Sequence, residues 1–231
     1  MAYLFEEFKN IRTFPARTRV YRDGEIVPEL SSEEGANLPL HIIRIGKLTG
    51  AHNWFVDMDE AGDVFLTARI ETEGDTKINL RINPNLENIG FDGKLIIKNT
   101  GNLNLEIAGN NNRGGTRIKC QTKLFAAAGG ENRLLGVANI PSGVRGAETD
   151  ISFAALCEPN AFVSMSPRQR ISSIPKSAEH SASIYRPAPA QIRYLETAGL
   201  TAAESSALLN QAFMEEVWDL RPNARCPKAN S

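Results

Sequence analysis

Two-residue alternation of apolar and polar side chains recurs through the middle of this 231-residue chain and restricts its fold more than any other feature. In KINLRIN, Ile78, Leu80 and Ile82 fall on one side, and Lys77, Asn79, Arg81 and Asn83 on the other. In NLNLEIA, Leu103, Leu105 and Ile107 alternate with Asn104 and Glu106. In TRIKCQTKL, Ile118, Cys120, Thr122 and Leu124 alternate with Arg117, Lys119, Gln121 and Lys123. Residues 64–70 and 150–156 follow the template less cleanly. Successive side chains of a strand point to opposite faces, so the pattern specifies strands with one packed face and one wet face.

Turn-forming residues separate these runs: Gly74-Asp75, Pro84-Asn85, Asp92-Gly93, Asn99 to Asn102, Asn110 to Gly115, Gly129-Gly130 and Pro141 to Gly143. Glycine and asparagine accept the left-handed backbone that tight corners require. No helical periodicity interrupts residues 64–184. Many short strands between such corners imply a sandwich, a barrel or a solenoid. The absence of Asn-Gly hairpin dipeptides disfavours a hairpin meander. The Asn-rich stretch from Asn79 to Asn112 suits solenoid corners, where side-chain amides bond to neighbouring coils. Strand starts are unevenly spaced, so a solenoid here is an irregular one.

The ends differ from this core. Residues 20–30 read as two short strands around Asp23-Gly24, and residues 38–48 as another strand, all leading into the core. After Ile184 the pattern becomes helical. One helix opens at Pro189, a favourable first position, and closes at Gly199. Thr201 and Glu204 then form a capping box for a second helix, with Leu208, Leu209, Ala212, Phe213, Val217 and Leu220 at three- and four-residue spacing. The expected organisation is N-terminal strands over 1–63, a β core over 64–186, and a helical segment with a loose tail over 187–231.

Bulk properties exclude several classes. The apolar fraction of 42% supports a packed core, and a formal net charge of −1 offers no general attraction to nucleic acid or an anionic membrane. No apolar run approaches the roughly 20 residues a spanning helix needs. The opening MAYLFEEFKNIRTF is not expected to be a signal peptide, since it has two early glutamates and no small-residue cleavage site. Cys120, Cys157 and Cys226 are odd in number and widely spaced, which fits neither a disulfide framework nor a C-x-x-C zinc site. A reduced, cytoplasmic protein is expected. The second helix carries Glu204, Glu215, Glu216 and Asp219 and no base before Arg221, the wrong sign for a DNA-reading helix. No GxxxxGK[ST] loop occurs, so the chain is not itself a P-loop ATPase.

Three stretches resemble the SufB/SufD family of iron–sulfur cluster assembly scaffolds. RVYRDGEIVPELSS (19–32) is similar to the segment that opens the family's β core. FVSMSPRQRISSIPKSAEHSASI (162–184) looks like its end, and QIRYLETAGLTAAESSALLNQAFMEEV (191–217) resembles its closing helices. The likeness extends over residues 19–220. It implies an irregular right-handed parallel β-helix followed by two helices. It implies pairing of two chains through that β-helix, as a homodimer or heterodimer, and docking of a SufC-type ABC ATPase on the helices. It also implies an iron–sulfur cluster, held transiently or at a subunit interface. In this picture the ATPase hydrolyses, and the chain is a scaffold, not an enzyme. There are two departures: the helical domain that precedes the core in longer members has no counterpart, and the family's cysteine–small–histidine motif keeps its histidine as His180 but has Ala178 in place of its cysteine.

The cluster or metal candidates are therefore His180, Cys157 and Cys120. His180 shares parity with Ala182 and Ile184, which points it inward; a histidine there is either an interface or core residue satisfied by a hydrogen bond, or an iron ligand. Cys120 lies on the apolar face of its strand, where a free cysteine is usually a small hydrophobe, the alternative being sulfur carriage. Cys157, next to a corner, is expected to be the more accessible, and Cys226 is incidental. Leu195, Leu209, Phe213 and Val217 are the candidate partner-docking residues. Arg168, Arg170, Arg186 and Arg193 make the surroundings of His180 positive, as a solvated face or a patch for an acidic partner. Two rivals remain: a SufB/SufD-like structural paralogue without cluster binding, and a carbohydrate-active β-solenoid. The second needs carboxylates along one strand face, where this chain carries mainly Lys, Arg, Asn and Gln.

Overall fold

The computed structural model describes residues 19–22, 25–26, 40–59 and 61–215. Its strands are β1 (Arg19–Arg22), β2 (Glu25–Ile26), β3 (Leu40–Met58), β4 (Val64–Pro84), β5 (Gly90–Asn99), β6 (Asn102–Asn110), β7 (Arg117–Ala126), β8 (Glu131–Ile140), β9 (Glu148–Cys157), β10 (Phe162–Ile171) and β11 (Ser177–Tyr185). β1 meets β2 antiparallel and β3 parallel. From β3 onward every pairing is parallel, and the strands run in the order β10-β8-β6-β4-β5-β7-β9-β11. The result is a β-solenoid of about five turns, followed in the chain by two helices.

The two runs expected at 64–70 and 77–83 are halves of one strand, β4, whose first half pairs with β5 and second half with β6. Between them the chain bends at Gly74, with φ of 60°. This bend splits the sheet into two walls. The first contains β5, β7, β9 and β11; the second contains β6, β8 and β10. The walls face each other across a core that includes Trp54, Leu80, Phe91, Leu105, Ile151 and Phe153. Small residues set the spacing. A Cβ at Gly136 would strike Ile151 and Phe153 on the opposite wall, and one at Gly109 would press on Ile118.

Each coil stacks on the last through side-chain amides as well as backbone. On the outer surface of the second wall, Asn83 donates to Asp57, Asn110 to Asn83 and Asn139 to Asn110, at 2.7, 2.8 and 2.7 Å. These partners lie 26, 27 and 29 residues apart in the chain, so the coils differ in length. That irregularity is why no strict repeat is visible in the sequence. The Asn residues were expected at corners, and this outer row lies on strands instead. A second, buried row flanks one corner: Thr72 donates to Asn99, and Asn99 donates to Asn132.

Residues 187–231 cluster as a separate unit. It contains α1 (Pro189–Thr197), with Pro189 in its first turn, and α2 (Ala202–Glu215). The Thr201–Glu204 box forms as the sequence specifies: the Thr201 N–H donates to Glu204 Oε2 at 2.8 Å, and the Glu204 N–H donates to Thr201 Oγ1 at 3.2 Å. The Thr201 N–H and the Thr201 hydroxyl, which also donates to Glu204 Oε2 at 2.8 Å, stabilise the Glu204 carboxylate and lower its pKa. Leu195, Leu209 and Phe213 are each partly buried, while Tyr194 is 74% exposed. Val217 and Leu220 lie outside the described residues.

Candidate functional site: the open end of the solenoid

β10 and β11 are the last strands of their walls, and each has one edge without a strand partner among the described residues. His180 lies here. It aligns with Ile151, which aligns with Cys120, which aligns with Gly93. Ile151 and Cys120 face the core at 2% and 0% exposure. The inward parity expected for His180 therefore holds, but no further coil covers it, so the ring is exposed. The same reason explains Ala182, which is exposed, and Ile184, which is 51% exposed. On the other wall Val163 and Met165 pack against the core from the same end, and Phe162 is 55% exposed beside them.

The two cysteines do not join this site. Cys120 is fully buried, and its thiol is pushed up to about 12, first by burial and then by the Asp92 and Asp150 carboxylates. One residue separates it from His180 in the stack, Ile151, and two coil spacings amount to roughly 10 Å. Cys157 was expected to be accessible; it is only 5% exposed. β9 continues to Cys157 itself, so the residue keeps the inward parity of Ala155 and the corner begins after it. Burial raises its thiol, with the Arg186 guanidinium opposing. Cys226 lies outside the described residues. Among the described residues no group of three or more His, Cys, Asp or Glu side chains is arranged to hold a metal ion. Among the described residues His180 therefore has no neighbouring cysteine or carboxylate that would complete a metal-ligand set, and the position two before it is Ala178.

Charge divides the outer surfaces of this end. β10 presents exposed Arg168 and Arg170, and β11 presents exposed Glu179. Glu179 aligns with Asp150, which aligns with Lys119. Burial and the Glu179 carboxylate raise Asp150, while Lys119 opposes the shift. Gln169, between the two arginines, turns its Nε2 inward, where it has no hydrogen-bond partner. Neither the terminal edges nor this charge division was read from the sequence. The signal was present: the alternation of β10 and β11 leads straight into helical sequence, and among the described residues no later strand pairs with them.

A thiolate, not a thiol, is the nucleophile, and both cysteines are buried and held protonated. Iodoacetamide at pH 8 is expected to leave Cys120 and Cys157 unmodified in the native protein and to alkylate both in denaturant. Peptide mass spectrometry reads the result. Native labelling of Cys120 would contradict its burial.

No protein-family model matches the chain, and no curated protein matches it.

Proposed function

We propose that the chain is a scaffold or partner subunit of iron–sulfur cluster assembly that works with a SufC-type ATPase. The observation that carries this reading is a β-solenoid whose last coil is left open, with His180 on its inner surface, followed in the chain by a short two-helix unit. Stretches 162–184 and 191–217, two of the three that resemble the SufB/SufD family, correspond to those two features. An uncovered coil end with apolar residues at its rim is a surface for a second chain, since large exposed apolar patches mark interaction sites. The helices retain exposed and half-exposed apolar side chains, suited to an amphipathic docking surface.

The chemistry limits what one copy contributes. His180 offers a single imidazole, and the family's cysteine position is Ala178. A cluster at this end would need ligands beyond those the described residues bring to His180. That shortage favours a second reading as well, a structural partner that keeps the fold and the docking helices without binding iron.

The test is capture of the SufC-type ATPase from the same organism. Full-length chain should retain it, and Leu209→Glu with Phe213→Glu should reduce retention at least tenfold while the β core keeps its circular dichroism spectrum. Failure of the full chain to retain the ATPase overturns the reading. Retention by a chain ending at Arg186 removes the helices from it.

A further inference from the structure

One corner of the solenoid repeats a left-handed residue from coil to coil. The register of β5, β7, β9 and β11 sets Gly90, Arg117, Glu148 and Ser177 level with one another. Two residues before each stand Asn88, Gly115, Gly146 and Pro175. The first three have φ of 57°, 67° and 69°. Proline holds φ at about −65°, so the last coil cannot repeat the corner.

The backbone bonds break at the same place. The Asn88 N–H donates to the Gly114 carbonyl of the next coil at 3.0 Å, and the Gly115 N–H to the Arg145 carbonyl at 2.9 Å. The Gly146 N–H, third in this series, has no acceptor among the described residues. The last coil is also out of step. Arg117 and Glu148 donate to the carbonyls of Ile89 and Thr116, but in the last coil the Lys176 N–H, rather than that of Ser177, donates to Ala147.

The loop over 172–176 thus stands away from the loop over 141–147, and a hollow of about 560 Å³ lies between them. Gly143, Arg145 and Gly146 line one side, and Ser173, Ile174 and Lys176 the other, beside Pro175. The Ser173 hydroxyl donates to the Val144 carbonyl and ties the two loops together. Arg145 is exposed, and its guanidinium meets no carboxylate among the described residues. Lys176 Nζ holds Glu148 Oε1 at 2.5 Å, so that carboxylate is already neutralised and the charge of Arg145 is left over. Ile174 is 88% exposed and gives the hollow an apolar wall next to these donors.

We propose that this corner binds a small organic oxyanion, with its carboxylate or phosphate on the Gly146 N–H and the Arg145 guanidinium and its apolar body against Ile174 and Pro175. The ligand oxygen takes the place that a carbonyl of the next coil fills at Asn88 and Gly115. Backbone N–H groups at turns with left-handed residues form anion-binding concavities. A guanidinium matches carboxylate and phosphate with two parallel bonds. Mixed apolar walls with a few convergent polar groups are the usual make-up of small-molecule sites. Neither His180 nor the helices take part, so the scaffold reading stands or falls by its own test.

Proton–nitrogen NMR of the full chain, titrated with phenyl phosphate and separately with benzoate, reads the site at the Gly146 amide. Saturable shifts are expected at Gly146, Arg145 and Lys176, and the tighter of the two probes identifies the headgroup. Inorganic phosphate should bind roughly tenfold more weakly than phenyl phosphate, because it leaves Ile174 wet. Arg145→Gln should weaken the organic probes by roughly tenfold or more, the loss of a charge-assisted bond. Ile174→Ser should bring phenyl phosphate down to the affinity of inorganic phosphate. Both side chains are exposed, so folding is retained, checked by unchanged thermal melting. Arg133→Gln, on β8 outside the hollow, should leave binding unchanged. No saturable shift at Gly146 with either organic probe overturns the proposal. So does an Arg145→Gln variant that binds like wild type, or an Arg133→Gln variant weakened equally, which would mean general attraction to cations.

Discussion

Asn99→Leu is expected to cost about 3–5 kcal/mol of unfolding free energy, near the top of what single substitutions do. Asn99 is fully buried at one corner of the solenoid. Its Oδ1 accepts from Thr72 Oγ1 at 2.7 Å and from the Gly101 N–H at 3.1 Å. Its Nδ2 donates to Asn132 Oδ1 at 2.7 Å and to the Gly101 carbonyl at 2.5 Å. Leucine has the same branched heavy-atom skeleton and no hydrogen-bonding atoms, so no cavity opens while the partners lose their bonds. A buried polar group left unpaired costs about 1–3 kcal/mol, whereas a satisfied bond contributes only about 1 kcal/mol net. The loss therefore comes mainly from the orphaned groups on three successive coils. Asn132 keeps one bond, from Nδ2 to the Phe162 carbonyl at 3.2 Å, which limits the damage at that coil. Urea unfolding followed by circular dichroism measures it. A loss under about 1 kcal/mol would mean that water reaches this corner and the row is not a structural fastening.

The β class was readable because alternation depends only on which residues face a core. In β6 and β7 the burial of Leu103, Leu105, Ile107, Ile118, Cys120, Thr122 and Leu124 follows it position by position. The alternation left sandwich, barrel and solenoid open; the missing Asn-Gly hairpins and the Asn-rich stretch leaned toward a solenoid and the family resemblance implied one, and the asparagines do join successive coils. Their exact places escaped the sequence because an amide on a strand and an amide at a corner look alike until the register is known. Register also decided the candidate site. His180 has inward parity in the sequence, but its exposure depends on being in the last coil, a property of coil order rather than of neighbouring residues. Cys157 failed for a local reason, a corner that starts one residue later than its neighbours suggest. The division of charge between Glu179 on β11 and Arg168 and Arg170 on β10 was the least accessible feature, since it needs the strand order that makes both strands terminal.

Gly101→Ala is expected to destabilise by about 2–3 kcal/mol, the range of overpacked sites, although it adds one methyl group at a position that demands no unusual backbone. A Cβ there would fall on the backbone of Gly74 in the preceding coil, at its nitrogen, Cα and carbonyl oxygen. The next coil repeats the contact, with a Cβ at Gly130 falling on the Gly101 carbonyl. Three glycines are thus stacked at one corner, where backbone rests directly on backbone and cannot yield as a flexible side chain would. Gly129 provides the comparison. Its φ is 77°, and a Cβ there meets nothing within 4 Å. Gly129→Ala should cost only the strain of a left-handed alanine, about 1–2 kcal/mol. The Gly101 substitution should also weaken the Asn99 bonds to the same residue, so Asn99→Leu and Gly101→Ala combined should cost less than the sum of the two singly. Strict additivity in urea unfolding would separate the glycine stack from the asparagine row. A Gly101→Ala loss no larger than that of Gly129→Ala would show that the coils have slack at this corner, and that the solenoid is fastened along its walls instead.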